Sequence, residues 1–270
     1  MMASLSSSWL RLVTARGDAG GPSGRAGRTL RLLRGDVAYC TADAIAVSSN
    51  PYLEGTRRKG FWRFTGRKNA DGAVREAGGA KFAANVAGIA AVHSPLAAGR
   101  AVVVPSAGAL RTRCRWIVHC VGPDMMSAGS AAERLQCVSL LETTFTGTLS
   151  AATAAGACSL AVPAIGTGIL GFAPADAAGA AFRAARMWLH EDGTQPSDSL
   201  SRVDLIVWSD HVWACWPDCA REVLGEPDLI SDVDQSTPPG GCGLGKGDAA
   251  ANDAPVDTDR LVYSWARLLP

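Results

Sequence analysis

The 270-residue chain lacks most of the features that would tie it to one obvious chemistry. No apolar run approaches the roughly 20 residues a spanning helix needs, so no membrane crossing is expected. Neither sign of charge dominates. Lys and Arg number 26 against 25 Asp and Glu, a formal +1 that gives no global pull toward nucleic acid or an anionic surface. Histidine is scarce at four residues, and the eight cysteines include no repeated CxxC pair. Cys120 in WIVHCV and Cys158 in ACSLAV sit in apolar runs, where cysteine behaves as a small hydrophobe. Reduced buried thiols in an intracellular protein are the expectation. His211, Cys215 and Cys219 share a helical spacing, but the first and last lie two turns apart, about 12 Å, too far for one tetrahedral ion. No GxSxG occurs, which removes a serine-hydrolase elbow.

What is present is enough to build a core: 47% hydrophobic residues against 19% charged. Residues 1–28 are rich in Ser, Gly and Arg, with Asp18 the only acid, and read as a disordered or transit-like segment. Residues 226–270 are largely a polar, Gly/Pro/Asp-rich tail. Within that tail GGCGLGKG imitates a phosphate loop, but Gly247 stands where a magnesium-ligating hydroxyl belongs and no strand precedes it. Between the tails, over 29–225, six short apolar runs read as buried strands: TLRLL, AIAVS, AVVVP, WIVHCV, SLAVP and VDLIVW. Ala-rich helical patterns fall over about 70–84, 131–156, 174–191 and 211–224. Strands alternating with helices predict a three-layer α/β/α sandwich around a mixed, mostly parallel sheet of six or seven strands.

The strongest local signal is SLAVPAIGTGILGFAPADAA (159–178), a buried strand, a glycine loop and a helix opening near Pro174. Gly166, Gly168 and Gly171 free the backbone to turn tightly and present amides, beside a helix N-terminus, to a diphosphate; Thr167 adds a hydroxyl. The loop is literally GxGxxG, but the dinucleotide fingerprint wants an acid about 20 residues on, and Asp210 is too distant. Upstream, Asp36 just past a strand end suits either a turn cap or acceptance from an exocyclic amine. Asn50 before Pro51 is held extended and suits a turn or a ligand contact. Trp208 closes the last strand with a flat face for stacking or for packing. His119, inside a predicted buried strand, reads as a core histidine.

In that order GDV (35–37), AIAVSSN (44–50), ADGAVREAGG (70–79), AVVVPSAGAL (101–110), WIVHCVGP (116–123) and VPAIGTGILGF (162–172) resemble the macrodomain family, the ADP-ribose-binding, Appr-1″-p-processing group. The resemblance spans about 29–224. It implies that Asp36 binds the adenine amine with Val37 beside it, that Asn50 meets the distal ribose, and that Trp208 stacks on adenine. It also implies that Gly166, Thr167, Gly168, Ile169, Leu170, Gly171 and Phe172 wrap the phosphates. Asp71 falls where the family's hydrolases carry a water-orienting carboxylate, chemistry suited to an anomeric centre.

Two departures stand out. The strand that ends NAAN in the family ends Val47–Ser48–Ser49–Asn50 here, and the glycine tract is replaced by YLEGTRRKGFWRFTGRKN (52–69). Its Arg57, Arg58, Lys59, Arg63, Arg67 and Lys68 alternate with Phe61, Trp62 and Phe64, a pattern suited to extra phosphates, a protein-bound ADP-ribose or a single nucleic-acid strand. The resemblance implies hydrolysis of ADP-ribosyl-protein bonds or of O-acetyl-ADP-ribose, with Asn50 and Asp71 catalytic. The departures favour the alternative, a reader of ADP-ribose without turnover. Other nucleotide or nucleic-acid binding is the remote third. No metal or cofactor is required. The expected partner is ADP-ribose or an ADP-ribosylated protein, with the chain monomeric, off the membrane, and cytoplasmic, nuclear or organellar.

Overall fold

A computed structural model describes residues 9–13, 28–55, 69–190, 199–225 and 228–230. All six runs read as strands are strands: β2 (Thr29–Arg34), β3 (Ala44–Ser48), β4 (Ala101–Pro105), β5 (Trp116–Cys120), β6 (Ser159–Pro163) and β7 (Arg202–Val207). Two more, β1 (Trp9–Val13) and β8 (Asp228–Ile230), lie in stretches whose composition reads as tails. The sheet therefore has eight strands, in the order β4-β5-β3-β6-β7-β2-β1-β8. The strands β5, β3, β6, β7 and β2 run parallel to one another, and antiparallel β4 and β1 flank them. A lone strand such as β1 is masked in sequence by the Ser, Gly and Arg around it.

The helices are α1 (Ala70–His93), α2 (Ala131–Ala154), α3 (Pro174–His190), α4 (Asp210–Trp213) and α5 (Trp216–Leu224). α1 runs past the predicted end and is broken at Gly79, whose φ of 63° and ψ of −161° leave helical space. α2 starts on a full capping box, in which the Ser130 side chain accepts from the Glu133 amide and Glu133 accepts from the Ser130 amide. The single helix expected over 211–224 is two, because Pro217 in the first turn of α5 cannot continue a preceding helix.

Successive side chains of β5 reveal the layers. His119 stacks on Phe82 of α1, whereas Cys120 meets Thr148 of α2. Neighbouring residues on a strand point to opposite faces, so α1 and α2 cover opposite sides of the sheet. α3 packs on α2 and α5 in the second layer. Strands β3, β4, β5 and β6 are buried on both faces, which explains their largely apolar sequences. Among the described residues no helix is long and apolar enough to cross a membrane.

Candidate functional site

The five parallel strands bring five loops to one edge of the sheet: residues after Arg34, Ser48, Cys120, Pro163 and Val207. Among the five parallel strands the ladders are long except between β3 and β6, which pair only at Ala44 with Leu160 and Ile45 with Ala161. Beyond that point the two strands part. A split at the carboxyl end of a parallel sheet is where α/β proteins seat ligands. The short 3₁₀ turn Val37–Tyr39, led by Asp36, packs against both β3 and β6.

The glycine loop follows β6 at this edge of the sheet. Gly166 (φ 96°) and Gly171 (φ 74°) occupy left-handed space that a side chain rarely enters. A Cβ on Gly166 would lie 3.0 Å from Leu141 and 3.1 Å from Phe172, and one on Gly171 would run into Met126. Three amides are used inside the loop, Thr167 to Ala164, Gly171 to Gly168 and Phe172 to Gly166. Those of Gly166, Gly168, Ile169 and Leu170 meet no acceptor among the described residues. Gly168 and Ile169 are exposed, and around Gly168 the space is open. Two details differ from the sequence reading. The Thr167 hydroxyl donates to the Ala164 carbonyl at 2.8 Å, and the Phe172 ring is buried in the core, so both shape the loop from within.

On one flank stand Asp36 and Trp208. Arg34 pairs in register with Val207, and the Gly35 amide donates to the Val207 carbonyl, so the two residues leave adjacent strands together. Asp36 accepts from the Ala38 amide at 2.9 Å, which caps the turn, and Val37 is buried beneath it. Trp208 is 46% exposed. Arg34 and Asp210 form an ion pair on the same flank.

The other flank carries Asn50 and Asp71, brought together across the chain. Asn50 organises its own loop: its side-chain oxygen accepts from the Tyr52 and Glu54 amides, and its Nδ2 donates to the Gly55 carbonyl at 2.6 Å. A Cβ on Gly55 would sit 3.5 Å from Asp71 Oδ2, so Asp71 reaches this loop despite the long segment between them. Asp71 is only 2% exposed. Arg75 Nε donates to both of its carboxylate oxygens at 3.0 and 3.1 Å, and Arg75 Nη2 donates to the Leu53 carbonyl at 2.6 Å. Burial pushes the Asp71 carboxyl up, and the guanidinium opposes that rise.

Beneath Asp71 lies His119, fully buried, with Nδ1 2.6 Å from Ser49 Oγ and 3.7 Å from Asp71 Oδ1. Burial, helped by the Arg75 charge, lowers its pKa to about 3, so the ring is neutral and the Asp71 contact is not an ion pair. Its Nε2 has no partner among the described residues. Sequence reasoning missed Arg75 and Ser49. The first was legible as an i,i+4 partner of Asp71 on a helix. The second depends on the pairing of Ser48 with Cys120, which no local pattern encodes. The basic and aromatic residues Arg57, Arg58, Lys59, Phe61, Trp62, Arg63, Phe64, Arg67 and Lys68 lie outside the described residues. Among the described residues no three His, Cys, Asp or Glu side chains gather as a metal site.

The family profile described as Macro domain matches residues 62–181. A macro domain-containing protein of Streptomyces griseus is 33% identical over 156 residues, covering 57% of this chain and 77% of that protein. One from Streptomyces coelicolor is 33% identical over 151 residues, covering 55% and 78%. Among solved structures, an Oceanobacillus iheyensis macrodomain with ADP superposes with a TM-score of 0.59 at 19% identity, covering 73% of this chain and 92% of that one. A Trypanosoma brucei macrodomain in complex with ADP-ribose gives 0.54 at 20% identity, covering 70% and 68%. At such identities the two structures speak for the fold.

Proposed function

The chain belongs to the macro domain family, and from that premise we propose that its crevice binds ADP-ribose. The observation that carries this reading is the glycine loop, whose amides at Gly168, Ile169 and Leu170 meet no acceptor among the described residues, with open space around Gly168. Oriented amides beside a helix N-terminus attract anionic oxygens without needing a cationic side chain. The strand order places that loop between two flanks, which suits a diphosphate with a group at either end. Asp36 and Trp208 offer a carboxylate and an indole to a purine, and the Asn50 loop borders the distal ribose. The solved macrodomains with ADP and with ADP-ribose support the choice of ligand.

Hydrolysis of an ADP-ribosyl bond, or of O-acetyl-ADP-ribose, is the second reading, favoured by the closeness of Asp71 to Gly55 and so to Asn50. A carboxylate there can orient water toward the ribose anomeric carbon. Its near-complete burial and its engagement by Arg75 favour binding without turnover. Calorimetry with ADP-ribose tests the first reading, and saturable binding is expected. Release of ADP-ribose from a modified protein, with Asp71→Asn as control, tests the second. Binding without release leaves a reader, and absence of binding removes both.

A further inference from the structure

Arg75 joins three things that the chain keeps far apart in sequence. Its Nε engages the Asp71 carboxylate, its Nη2 engages the Leu53 carbonyl, and its charge bears on His119. Leu53 is the one non-glycine residue with positive φ among those described, at 55°. A left-handed backbone is disfavoured for a leucine, so it persists only where its surroundings hold it. Two anchors do so. Asn50 ties the loop through its amide group, and the Leu53 amide donates to the Asn50 carbonyl at 3.0 Å. Arg75 ties the loop from the helix side, through the carbonyl of Leu53 itself. Gly55 closes the arrangement, with room for only a small residue, since a Cβ there would lie 3.1 Å from Arg75 Nε.

We propose that Arg75 is a positioning residue that clamps the Asn50–Gly55 loop to helix α1 through Leu53 and Asp71, and so sets the shape of the crevice at the distal-ribose end of ADP-ribose. This rests on the ADP-ribose reading for the identity of the ligand, but the clamp is a property of the empty protein. The diphosphate floor after β6 and the flank after β2 and β7 are built without Arg75. Its influence is therefore confined to the end of the ligand that lies beyond the second phosphate. The same contact supplies the positive charge beside Asp71, whose other titratable neighbour among the described residues is His119 of β5, neutral in this setting. Arg75 is thus both a geometric clamp and the counter-charge for a buried carboxylate. A lysine keeps the charge but cannot place two donors in fixed directions at once.

The test compares the full chain with Arg75→Lys and Arg75→Met, using ADP-ribose and ADP as ligands. ADP lacks the distal ribose. In both variants ADP-ribose affinity is expected to fall roughly tenfold or more, the worth of a charge-assisted hydrogen bond, while ADP affinity stays within about twofold. Carbon NMR titration of the Asp71 carboxyl, without ligand, separates charge from geometry. Its midpoint is expected to move up by about 1–3 pH units in Arg75→Met and to stay near the parent value in Arg75→Lys. Equal losses for ADP and ADP-ribose, or no loss for either with an unmoved carboxyl titration, would overturn the proposal. If the parent protein binds neither ligand, the ADP-ribose reading fails. The carboxyl titration then still decides whether Arg75 holds Asp71, and an unmoved midpoint in Arg75→Met defeats the clamp as well. Should Arg75→Met not fold, Arg75→Lys carries the ligand comparison alone.

Discussion

Single residues under the crevice do unequal work, and His119 is the clearest case. The ring is fully buried, bonded to Ser49 and held neutral, with its pKa lowered to about 3. In the unfolded chain a histidine titrates near 6.5. As pH falls below that value the unfolded state takes up a proton that the folded state refuses, so stability is lost between about pH 6.5 and 3. Lowering the pH from 7 to 5 is expected to remove roughly 2 kcal/mol through this one group. Urea unfolding of the parent and of His119→Phe checks it, since the variant should show a flatter dependence over that window. A slope unchanged by the substitution would mean the ring is not the group responsible. That His119 belongs to the core was readable from its apolar strand. That it supports Asp71 and Ser49 was not, because those contacts join β3, β5 and α1.

At the scale of the element, the glycine loop separates glycines that the fold requires from one around which space is open. Gly166 lies at φ 96° with Leu141 and Phe172 close by, so Gly166→Ala is expected to cost about 1–3 kcal/mol, measured as a lower unfolding midpoint. Gly168 has no strained φ and open space around it. Gly168→Val should leave the midpoint near the parent's yet weaken ADP-ribose about tenfold or more by filling the approach to the amides. If the second variant binds like the parent, the loop is not the phosphate floor. At the opposite edge, Asp43 ties β3 to the start of β6. It is buried and accepts from the amides of Cys158 and Ser159 and from the Ser159 hydroxyl. Asp43→Ala strands those donors and is expected to destabilise by about 2–4 kcal/mol, read by urea unfolding, without a specific effect on the crevice.

For the molecule as a whole, the crevice depends on the order of the central strands and not on the sheet's outer edge. It opens between β3 and β6, with its Asp36–Trp208 flank at the ends of β2 and β7, and β1 lies on the outer side of β2. A chain beginning at Arg28, which lacks β1, is expected to keep ADP-ribose binding close to the parent's, since Arg34 and the residues after it are held by the parallel pairing of β2 with β7, which this truncation retains. Its unfolding midpoint should fall, because the β2 edge then loses its antiparallel partner. Calorimetry and thermal unfolding on the same preparation test both halves of this expectation. Loss of binding in a folded truncation would mean that the first strand contributes to the site.

The sequence by itself determined the six strands from β2 to β7, Pro174 at the head of α3, and the chain order of motifs that marks a macro domain. These depend on local periodicity, capping chemistry and glycine geometry, which short stretches carry in full. It also placed Asp36 and Trp208 at strand ends, and register made them neighbours. Only the tertiary structure decided what Asn50, Asp71 and Thr167 do with their polar atoms. Asn50 and Thr167 bond to backbone of their own loops, and Asp71 bonds to Arg75 and lies against Gly55 and His119. The reason is physical: a residue type fixes which hydrogen bonds a side chain can make, whereas burial and the pairing of distant strands fix which of them it does make.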